Sequence, residues 1–364
     1  MSEQKAYLLL ANGQVFEGKS FGVTGTTIGE VVFTTGMTGY QETLTDPNYF
    51  GQIAVQTFPL NGNYGINSED SDSPKSWMKG YIVREWCEVP SNFRCEKSID
   101  AFLKEQNVIG LYGIDTRHLT KVIREEGVMN GVITTEDAYE NKEKLMDQLR
   151  KYEIEGAVEA VSVKKIEKFD AENAKHNVVV WDFGYRKHML NYLLERGCNV
   201  TVVPHQTTAQ EIMDLNPDGV LLTNGPGNPT ENEKVIENIK TLMDKKVPMF
   251  GLCLGHQLIA LANGAQVEKL KCGHRGGNQP VKDLSTGQVY LTSQNRGYTV
   301  VADSVKSDIA DVTYTNVTDK TCEGLAYKNA PVFTVQFHPE SSGGPRSTAY
   351  LYDRFVELMD KEDK

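Results

Sequence analysis

Residues 247–257 read Val-Pro-Met-Phe-Gly-Leu-Cys-Leu-Gly-His-Gln, an apolar segment that passes through a cysteine into the apolar run 258–262. This order predicts a strand, a sharp turn and the start of a helix. In the pattern Gly251-x-Cys253-x-Gly255, small residues on both sides permit a tight, strained turn that lifts the cysteine out at the sheet edge. The first N–H groups of the helix would favour its thiolate. The same letters also fit a buried structural cysteine between incidental glycines, so other segments must decide.

Length and composition limit the classes of protein to which the chain can belong. The 364 residues suffice for about two domains, and the net charge of −11 comes with no basic stretch that would indicate a nucleic acid partner. The six cysteines include no C-x-x-C pair, so we predict neither a metal site nor a disulfide framework. The first residues do not resemble a signal peptide, and no apolar run approaches the ~20 residues of a membrane span. We therefore expect a cytoplasmic protein without membrane contact.

The first part of the chain, residues 1–165, is expected to form a smaller β-rich α/β domain. Alternating apolar residues predict a hairpin at 6–10 and 14–18 and strands at 31–35, 52–57, 79–83 and 131–135. Apolar spacing with a helical period predicts helices at 98–106, 116–126 and 136–151. The charged stretch 152–176 is interpreted as a linker, with the domain boundary after residue 165.

Residues 166–364 follow a different order, in which strands and helices alternate. The predicted strands are 177–184, 199–203 and 219–223, and the helices between them are 187–196 and 208–215. This order predicts a doubly wound, mostly parallel sheet. Ligands of such sheets bind at the carboxyl ends of the strands, which places the turns after Asp182, Thr223 and Phe250 along one edge. Residues 265–336 are expected to add short strands as an antiparallel extension.

A cysteine nucleophile needs a base, and the base needs an orienting group. His338 and Glu340 follow the apolar segment 332–337, and residues two apart at a strand end can point the same way. Glu340 could hold the His338 imidazole while its other nitrogen faces Cys253. An isolated His-Pro-Glu also fits an ordinary surface loop. His256 is an alternative base, which we interpret as a structural or capping residue.

Two turns complete the edge. Residues 224–229 read Asn-Gly-Pro-Gly-Asn-Pro, a rigid turn with accessible N–H groups. Together with the N–H of Leu254, this turn could stabilise the negative charge that develops on an attacked carbonyl, although it also fits a plain tight turn. The tripeptide 182–184, Asp-Phe-Gly, is interpreted as a strand-end turn, since no other kinase motif accompanies it.

In this order and spacing, the segments 224–229, 251–257 and 338–340 resemble the class I glutamine amidotransferases. The resemblance implies a doubly wound, mostly parallel, flavodoxin-like sheet. It assigns the role of nucleophile to Cys253, of base to His338 and of orienting acid to Glu340.

Further segments narrow the resemblance to the small subunits of carbamoyl phosphate synthetase. They are residues 36–42 (Gly-Met-Thr-Gly-Tyr-Gln-Glu), 44–47, 113–117, 273–281 and 294–298. The family implies hydrolysis of L-glutamine to glutamate and ammonia, and passage of the ammonia through a tunnel to a large subunit. That partner uses bicarbonate, ATP and Mg to make carbamoyl phosphate for arginine or pyrimidine synthesis. The resemblance thus implies a heterodimer or a higher oligomer, with no cofactor on this chain.

The resemblance also assigns glutamine binding to Gly36, Gly225, Gly227, Leu254, Gln257, Asn295, Gly297 and Tyr298. This chain departs from the family at three positions. Gly36 stands where many members have a serine, Arg296 where histidine is common, and Tyr298 where phenylalanine is frequent. The serine hydroxyl is thus absent at Gly36, which could still contact glutamine through its backbone, and we expect the changes at Arg296 and Tyr298 to tune the site.

Other functions fit parts of the pattern. The chain could be an amidotransferase subunit of another synthase, such as anthranilate or aminodeoxychorismate synthase, although those lack an N-terminal domain of this size. A γ-glutamyl hydrolase would share the cysteine turn and differ in substrate. A non-catalytic regulatory subunit on the same fold would not need Cys253, His338 and Glu340 together.

Overall fold

The computed structural model describes residues 4–341 and 343–362. The chain divides into two compact units, unit 1 with residues Met1–Glu155 and Lys271–Gly276, and unit 2 with Gly156–Leu270 and Gly277–Lys364. The division therefore lies earlier than the predicted boundary after residue 165, and unit 1 includes a short segment from late in the chain.

Unit 1 is built around a barrel. Its strands are β1 (Lys5–Leu10), β2 (Val15–Gly22), β3 (Thr26–Thr34), β4 (Gln52–Gln56), β5 (Leu60–Asn61), β6 (Gly80–Ile82), β7 (Glu85–Trp86), β8 (Ile109–Tyr112) and β9 (Met129–Thr134). Its helices are α1 (Tyr40–Thr45), α2 (Ile99–Glu105), α3 (Thr116–Glu126) and α4 (Lys142–Lys151). The barrel closes in the order β1-β2-β8-β6-β4-β3-β9, while β5 and β7 pair separately. Closure removes the exposed sheet edges that a short β-rich domain would otherwise present.

The polar segment 36–42 organises a neighbouring loop of unit 1. The side chain of Gln41 donates to the backbone carbonyl of Asn67 and accepts from its N–H (3.0 Å). Tyr40 donates its hydroxyl to the carbonyl of Gly65 (2.6 Å). Asp72 N donates to the Thr45 hydroxyl (2.9 Å). These buried bonds hold a loop that has little regular structure of its own.

One predicted helix of unit 1 begins later than expected. The sequence predicts a helix over 136–151, but α4 begins at Lys142. The carboxylate of Asp137 accepts hydrogen bonds from the backbone N–H groups of Tyr139 (2.8 Å) and Glu140 (3.2 Å). A side chain that satisfies local N–H groups in this way stabilises a turn in place of the first helical turn.

Unit 2 contains the remaining elements. Its helices are α5 (Ala157–Val161), α6 (Lys187–Leu194), α7 (Ala209–Asp214), α8 (Glu233–Asp244), α9 (Leu254–Ala262) and α10 (Tyr350–Glu362). Its strands are β10 (Glu167–Phe169), β11 (His176–Trp181), β12 (Cys198–Val203), β13 (Gly219–Leu222), β14 (Met249–Leu252), β15 (Val267–Asp283), β16 (Val289–Val300), β17 (Ala310–Asn316), β18 (Cys322–Tyr327) and β19 (Val332–Val335). β15 also includes the segment that belongs to unit 1.

The sheet of unit 2 has a parallel centre and an antiparallel side. Its order is β10-β12-β11-β13-β14-β19-β18-β17-β15-β16. The neighbours from β12 to β19 pair in parallel, and β19-β18, β18-β17 and β17-β15 pair antiparallel. The doubly wound prediction is confirmed. The extension is antiparallel as predicted. Its strands β17 and β18 are short, with 7 and 6 residues, but β15 and β16 are longer than predicted, with 17 and 12 residues.

Alternation along the parallel strands explains why helices cover both faces of this sheet. On β11, Val179 and Trp181 pack into the apolar cluster that includes side chains of α7, α8 and α9. Val178 and Val180, which point the opposite way, pack into the cluster that includes α6 and α10. Strands that are apolar on both faces are typical of the buried centre of a doubly wound sheet.

From Gly156 onward, the stretch interpreted as a linker is part of unit 2. Val158 of α5 is buried in the core of this unit, and β10 pairs with β12. Ser162 donates its hydroxyl to the carbonyl of Asp182 (2.8 Å), and Val163 N donates to the Asp182 carboxylate (2.7 Å). These contacts are made by residues distant in the sequence, so a charged composition alone did not reveal them.

Among the described residues, no helix has the length and apolar character needed to cross a membrane.

Candidate active site

Cys253 occupies a strained turn between β14 and α9. Its backbone has φ 51° and ψ −98°, a conformation that L-residues rarely adopt, and its side chain is almost fully buried. The turn is held by both neighbouring strands, because Cys253 N donates to the carbonyl of Val335 (2.9 Å) and Gly255 N to that of Thr223 (3.0 Å). This is the geometry expected of a nucleophile elbow.

The two glycines of the pattern are required by packing. A Cβ on Gly255 would lie 2.4 Å from the carbonyl oxygen of Leu222. A Cβ on Gly251 would lie 2.8 Å from Ile259 Cδ1 and 2.9 Å from Thr334 Cγ2. Any side chain at either position would push the turn away from the sheet, so the glycines are not incidental.

His338 and Glu340 follow β19, which lies beside β14 in the sheet. Nδ1 of His338 lies 3.0 Å from Oε1 of Glu340, and both side chains are fully buried. The backbone N–H of His338 is also fixed, by donation to the carbonyl of Ser293 (2.9 Å). A carboxylate at Nδ1 places the proton of the neutral imidazole there and leaves Nε2 as the basic nitrogen.

Burial and the charge of Arg186 each lower the pKa of His338, but Glu340 and a hydrogen-bonding interaction with Cys253 raise it to about 9. Burial raises the pKa of Glu340, yet the charge and hydrogen bond of His338 outweigh this and lower it. Nε2 makes no well-formed hydrogen bond to any residue that the structure describes. The thiol is thus near enough to raise the pKa of the imidazole, although the two groups do not form an ideal hydrogen bond. Hydrogen bonds between catalytic residues are often long in the absence of substrate and shorten when it binds.

The turn at residues 224–229 lies against the start of α9. A Cβ on Gly225 would lie 2.7 Å from Leu254 Cδ2 and 2.4 Å from the carbonyl oxygen of Phe183. Gly227 has φ 84° and packs on Ala157 of α5. Leu254 is the first residue of α9, so its N–H has no acceptor within the helix. The structure therefore brings the predicted oxyanion donors to the carboxyl edge that carries Cys253.

The predicted glutamine-binding residues Asn295, Gly297 and Tyr298 lie on β16. The carbonyl oxygen of Asn295 is 4.0 Å from Cys253 Sγ. Gln257 Nε2 donates to the carbonyl of Tyr298 (2.9 Å) and to Oε1 of Gln336 (3.0 Å). Both hydrogens of this amide nitrogen are thus engaged within the protein, which leaves Oε1 of Gln257 for the contact that the sequence predicts.

Gly36 belongs to unit 1. Its carbonyl accepts a hydrogen bond from Gln56 Nε2 (2.7 Å), and its N–H donates to the Thr34 hydroxyl (3.3 Å). A Cβ at this position would meet its nearest neighbours at 3.4 and 3.6 Å, so packing does not require glycine here. Its part in glutamine binding stays a prediction.

Other interpretations of this edge can now be compared with the structure. The Asp182 carboxylate accepts from Gly184 N (2.8 Å) and Tyr185 N (2.7 Å), which confirms the strand-end turn. Nδ1 of His256 is bonded to the Thr334 hydroxyl (2.7 Å), and burial, with a smaller contribution from Arg296, lowers the pKa of His256 to about 3. A neutral, fully buried imidazole of this kind fits the interpretation of His256 as a structural residue.

Sequence reasoning missed two charged residues near the site. Arg186 is buried and lowers the pKa of both His338 and Glu340. Glu323 is fully buried on β18 and forms an ion pair with Arg296 (2.8 Å). Neither residue stands in a motif. The one signal in the sequence is that each is a charged residue beside apolar strand or turn residues. Among the described residues, no group of three or more His, Cys, Asp or Glu side chains is arranged to hold a metal ion.

Two family models match the chain, and several known proteins resemble it over nearly its whole length. Residues 8–133 match the family model of the carbamoyl-phosphate synthase small chain, CPSase domain, and residues 179–358 that of the class-I glutamine amidotransferase. The chain is 46% identical to a carbamoyl phosphate synthase small chain of Clostridium perfringens, covering 97% of this chain and 99% of that one. It is 48% identical to one of Listeria monocytogenes, covering 99% and 98%. It is also 48% identical to a pyrimidine-specific small chain of Bacillus subtilis, covering 99% and 97%.

Proposed function

The chain belongs to the family of carbamoyl phosphate synthase small chains and has a class I glutamine amidotransferase domain, and from this we propose that it hydrolyses L-glutamine through a thioester on Cys253. One observation carries the proposal. A cysteine with a strained backbone stands beside a buried His338 whose Nδ1 is held 3.0 Å from Glu340, at the carboxyl edge of a parallel sheet. A structural cysteine needs neither the strain nor the oriented imidazole.

In the first half of the reaction, Sγ of Cys253 attacks the side-chain carboxamide carbon of glutamine. The negative charge that develops on the carboxamide oxygen is stabilised by the N–H groups of Leu254 and Gly227. His338, whose pKa of about 9 favours the imidazolium, donates its proton from Nε2 to the departing nitrogen. The C–N bond breaks, ammonia leaves, and a γ-glutamyl thioester remains on Cys253.

In the second half, water attacks the thioester carbon while Nε2 of His338 takes its proton. The C–S bond breaks, glutamate is released, and the proton returns to the cysteine–histidine pair. Throughout both halves Glu340 holds the imidazole in one orientation and stabilises its charged form. The backbone and amide groups of Gly225, Gln257, Asn295, Gly297 and Tyr298, and of Gly36, are assigned to binding of the substrate.

The ammonia is used by a partner. We propose that the chain pairs with a large synthase subunit, as a heterodimer or in a higher oligomer, and that ammonia passes to it through an internal tunnel. The partner would combine ammonia with bicarbonate, using ATP and Mg, to form carbamoyl phosphate for arginine or pyrimidine synthesis. The chain itself carries no P-loop motif in its sequence.

The direct test is a glutaminase assay of Cys253→Ser, with Cys198→Ser as the matched control. Cys198 is also a fully buried free cysteine of the same sheet, but it stands at the start of β12. We expect the Cys253 variant to lose turnover by at least ~10³-fold, because nucleophile and base act as a unit, and the Cys198 variant to keep it. Normal turnover by Cys253→Ser would refute the mechanism.

The partner is tested separately. The purified chain with glutamine, bicarbonate and MgATP should release glutamate but form no carbamoyl phosphate, and addition of the large subunit should restore the synthesis. Carbamoyl phosphate made by this chain alone would show that the division of labour is wrong.

A further inference from the structure

A buried ion pair lies directly beside the predicted glutamine-binding segment of β16. Nη2 of Arg296 is 2.8 Å from Oε1 of Glu323, and the two side chains are 2% and 0% exposed. Arg296 stands between Asn295 and Gly297 on β16, and Glu323 is on β18. Two charges are rarely removed from water without a specific arrangement that compensates them.

Neighbouring polar groups complete that arrangement. Nε of Arg296 donates to Oε1 of Gln294 (3.1 Å), and Nε2 of Gln294 donates to Oε2 of Glu323 (3.0 Å). Asn316 Nδ2 donates to Oε1 of Glu323 (3.3 Å). Both carboxylate oxygens and the guanidinium are therefore engaged in one closed ring, which restricts Arg296 to a single orientation.

The ring holds the backbone of Tyr298 in place. Nη1 of Arg296 donates to the carbonyl of Tyr298 (2.9 Å), and the same oxygen accepts from Nε2 of Gln257 (2.9 Å). Gln257 is on α9, the helix that begins directly after Cys253. The carbonyl of Tyr298 thus joins the ion pair on one side to the nucleophile's helix on the other. At the other end of the segment, the carbonyl of Asn295 lies 4.0 Å from Cys253 Sγ.

We propose that Glu323 is a positioning residue for glutamine binding, which acts through Arg296 to fix the backbone from Asn295 to Tyr298 at a set distance from Cys253. The inference rests on the proposed function, which assigns Asn295, Gly297 and Tyr298 to binding of the glutamine substrate. Glu323 has no place in the bond-making steps. Its loss should therefore weaken glutamine binding much more than it slows the chemistry.

The experiment compares Glu323→Gln with the unmodified chain, each in complex with the large subunit. We expect KM for glutamine to rise by about tenfold or more while kcat stays within about threefold. Two probes of Cys253 separate positioning from general damage. Alkylation by iodoacetamide, which needs no glutamine pocket, should keep its rate, whereas inactivation by an electrophilic glutamine analogue should slow by the factor found for KM.

Asp353→Asn is the matched control. Asp353, on α10, forms an ion pair with Arg196 (2.7 Å) in the same unit, but half of its side chain is exposed, and neither residue takes part in the ring around Glu323. Its removal should leave KM, kcat and both inactivation rates unchanged. A rise of KM in this control equal to that of Glu323→Gln would overturn the inference, because any lost ion pair would then have the same effect.

A second variant covers the case in which Glu323→Gln does not fold, since that change leaves the charge of Arg296 buried alone. Arg296→Met with Glu323→Gln removes both charges at similar volume, and we expect the same rise in KM. An unchanged KM in either folded variant, or a loss confined to kcat, would overturn the inference. If the unmodified complex does not hydrolyse glutamine, the proposed function fails, and the inference fails with it.

Discussion

In unit 1, both the oxygen and the nitrogen of the buried Gln41 amide are hydrogen-bonded to the backbone of Asn67. In unit 2, only Nδ1 of the buried His338 imidazole is well bonded, to Glu340, whereas Nε2 interacts with the thiol of Cys253 without an ideal hydrogen bond. Both side chains stand in segments that the sequence marks as motifs. The first uses its polar groups to hold a loop, and the second keeps one nitrogen for a reaction. A motif therefore indicates chemistry only where the fold leaves a polar group without its full set of hydrogen bonds within the protein.

The largest expected effect is on His338. His338→Asn should lower kcat for glutamine hydrolysis by ~10²–10⁴-fold, because general acid and base assistance is lost. His256→Asn is the matched control, a fully buried histidine near the same cysteine whose Nδ1 is bonded to Thr334. It should reduce stability and keep kcat within about tenfold. If steady-state assays showed an equal loss of kcat in the two variants, hydrogen bonding of a buried histidine within the protein would not distinguish a structural histidine from a reactive one.

The counterpart in unit 1 is Gln41→Leu. Loss of the buried bonds to Asn67 leaves its backbone groups without their partner, and we expect a decrease of about 1–3 kcal/mol in the free energy of unfolding. kcat should remain within about twofold, since the chemistry is assigned to Cys253 and His338. Urea unfolding and the glutaminase assay check the two parts. A fall of kcat like that of His338→Asn would give the loop of unit 1 a part in the reaction.

The third prediction concerns pH. The pKa of His338 is raised in the fold from its ordinary 6.5 to about 9, so the folded state binds this proton more tightly than the unfolded state. The resulting stability is fully present below pH 6.5 and is lost as pH rises through 9. The difference in free energy of unfolding between the unmodified chain and His338→Asn should therefore shrink by about 1.4 kcal/mol per pH unit across this window. Urea unfolding at several pH values checks this, and a constant or growing difference would contradict it.

The smallest effect is expected from Gly36→Ser. The position has room for a side chain, so stability should change by less than about 0.5 kcal/mol. If the hydroxyl contacts glutamine as the family resemblance implies, KM should fall by about two- to fivefold, the value of one modest hydrogen bond. Steady-state kinetics with Gly36→Ala as the control will separate the hydroxyl from the added methyl group. An equal KM in both variants would remove Gly36 from the binding site.

The parts that sequence could predict are those where one local pattern has one physical meaning. The run from Met249 to Ala262 can only bury its apolar residues as a strand and a helix, and Gly251 and Gly255 are needed by the turn between them. His338 and Glu340 follow a strand for the same reason. The parallel order of β14 and β19 then brings the two segments together.

The parts that sequence missed depend on contacts between distant residues. Residues 156–169 look like a charged linker until α5 packs on the core of unit 2 and β10 pairs with β12. Nothing near Lys271–Gly276 indicates that this segment belongs with unit 1. Glu323 lies 27 positions from Arg296, and alone it looks like a surface charge. Their burial as a pair is a property of the folded sheet.

The central claim is that Cys253 carries the substrate covalently, and mass spectrometry of the acid-quenched reaction tests it most directly. Protein mixed with glutamine, quenched during turnover and digested should yield the peptide that contains Cys253 with an added γ-glutamyl group, which disappears on treatment with hydroxylamine. Peptides with Cys198 or Cys322, the other buried cysteines of unit 2, should be unmodified. A γ-glutamyl group on another cysteine, or an unmodified Cys253 peptide from protein quenched while it releases glutamate, would contradict the account.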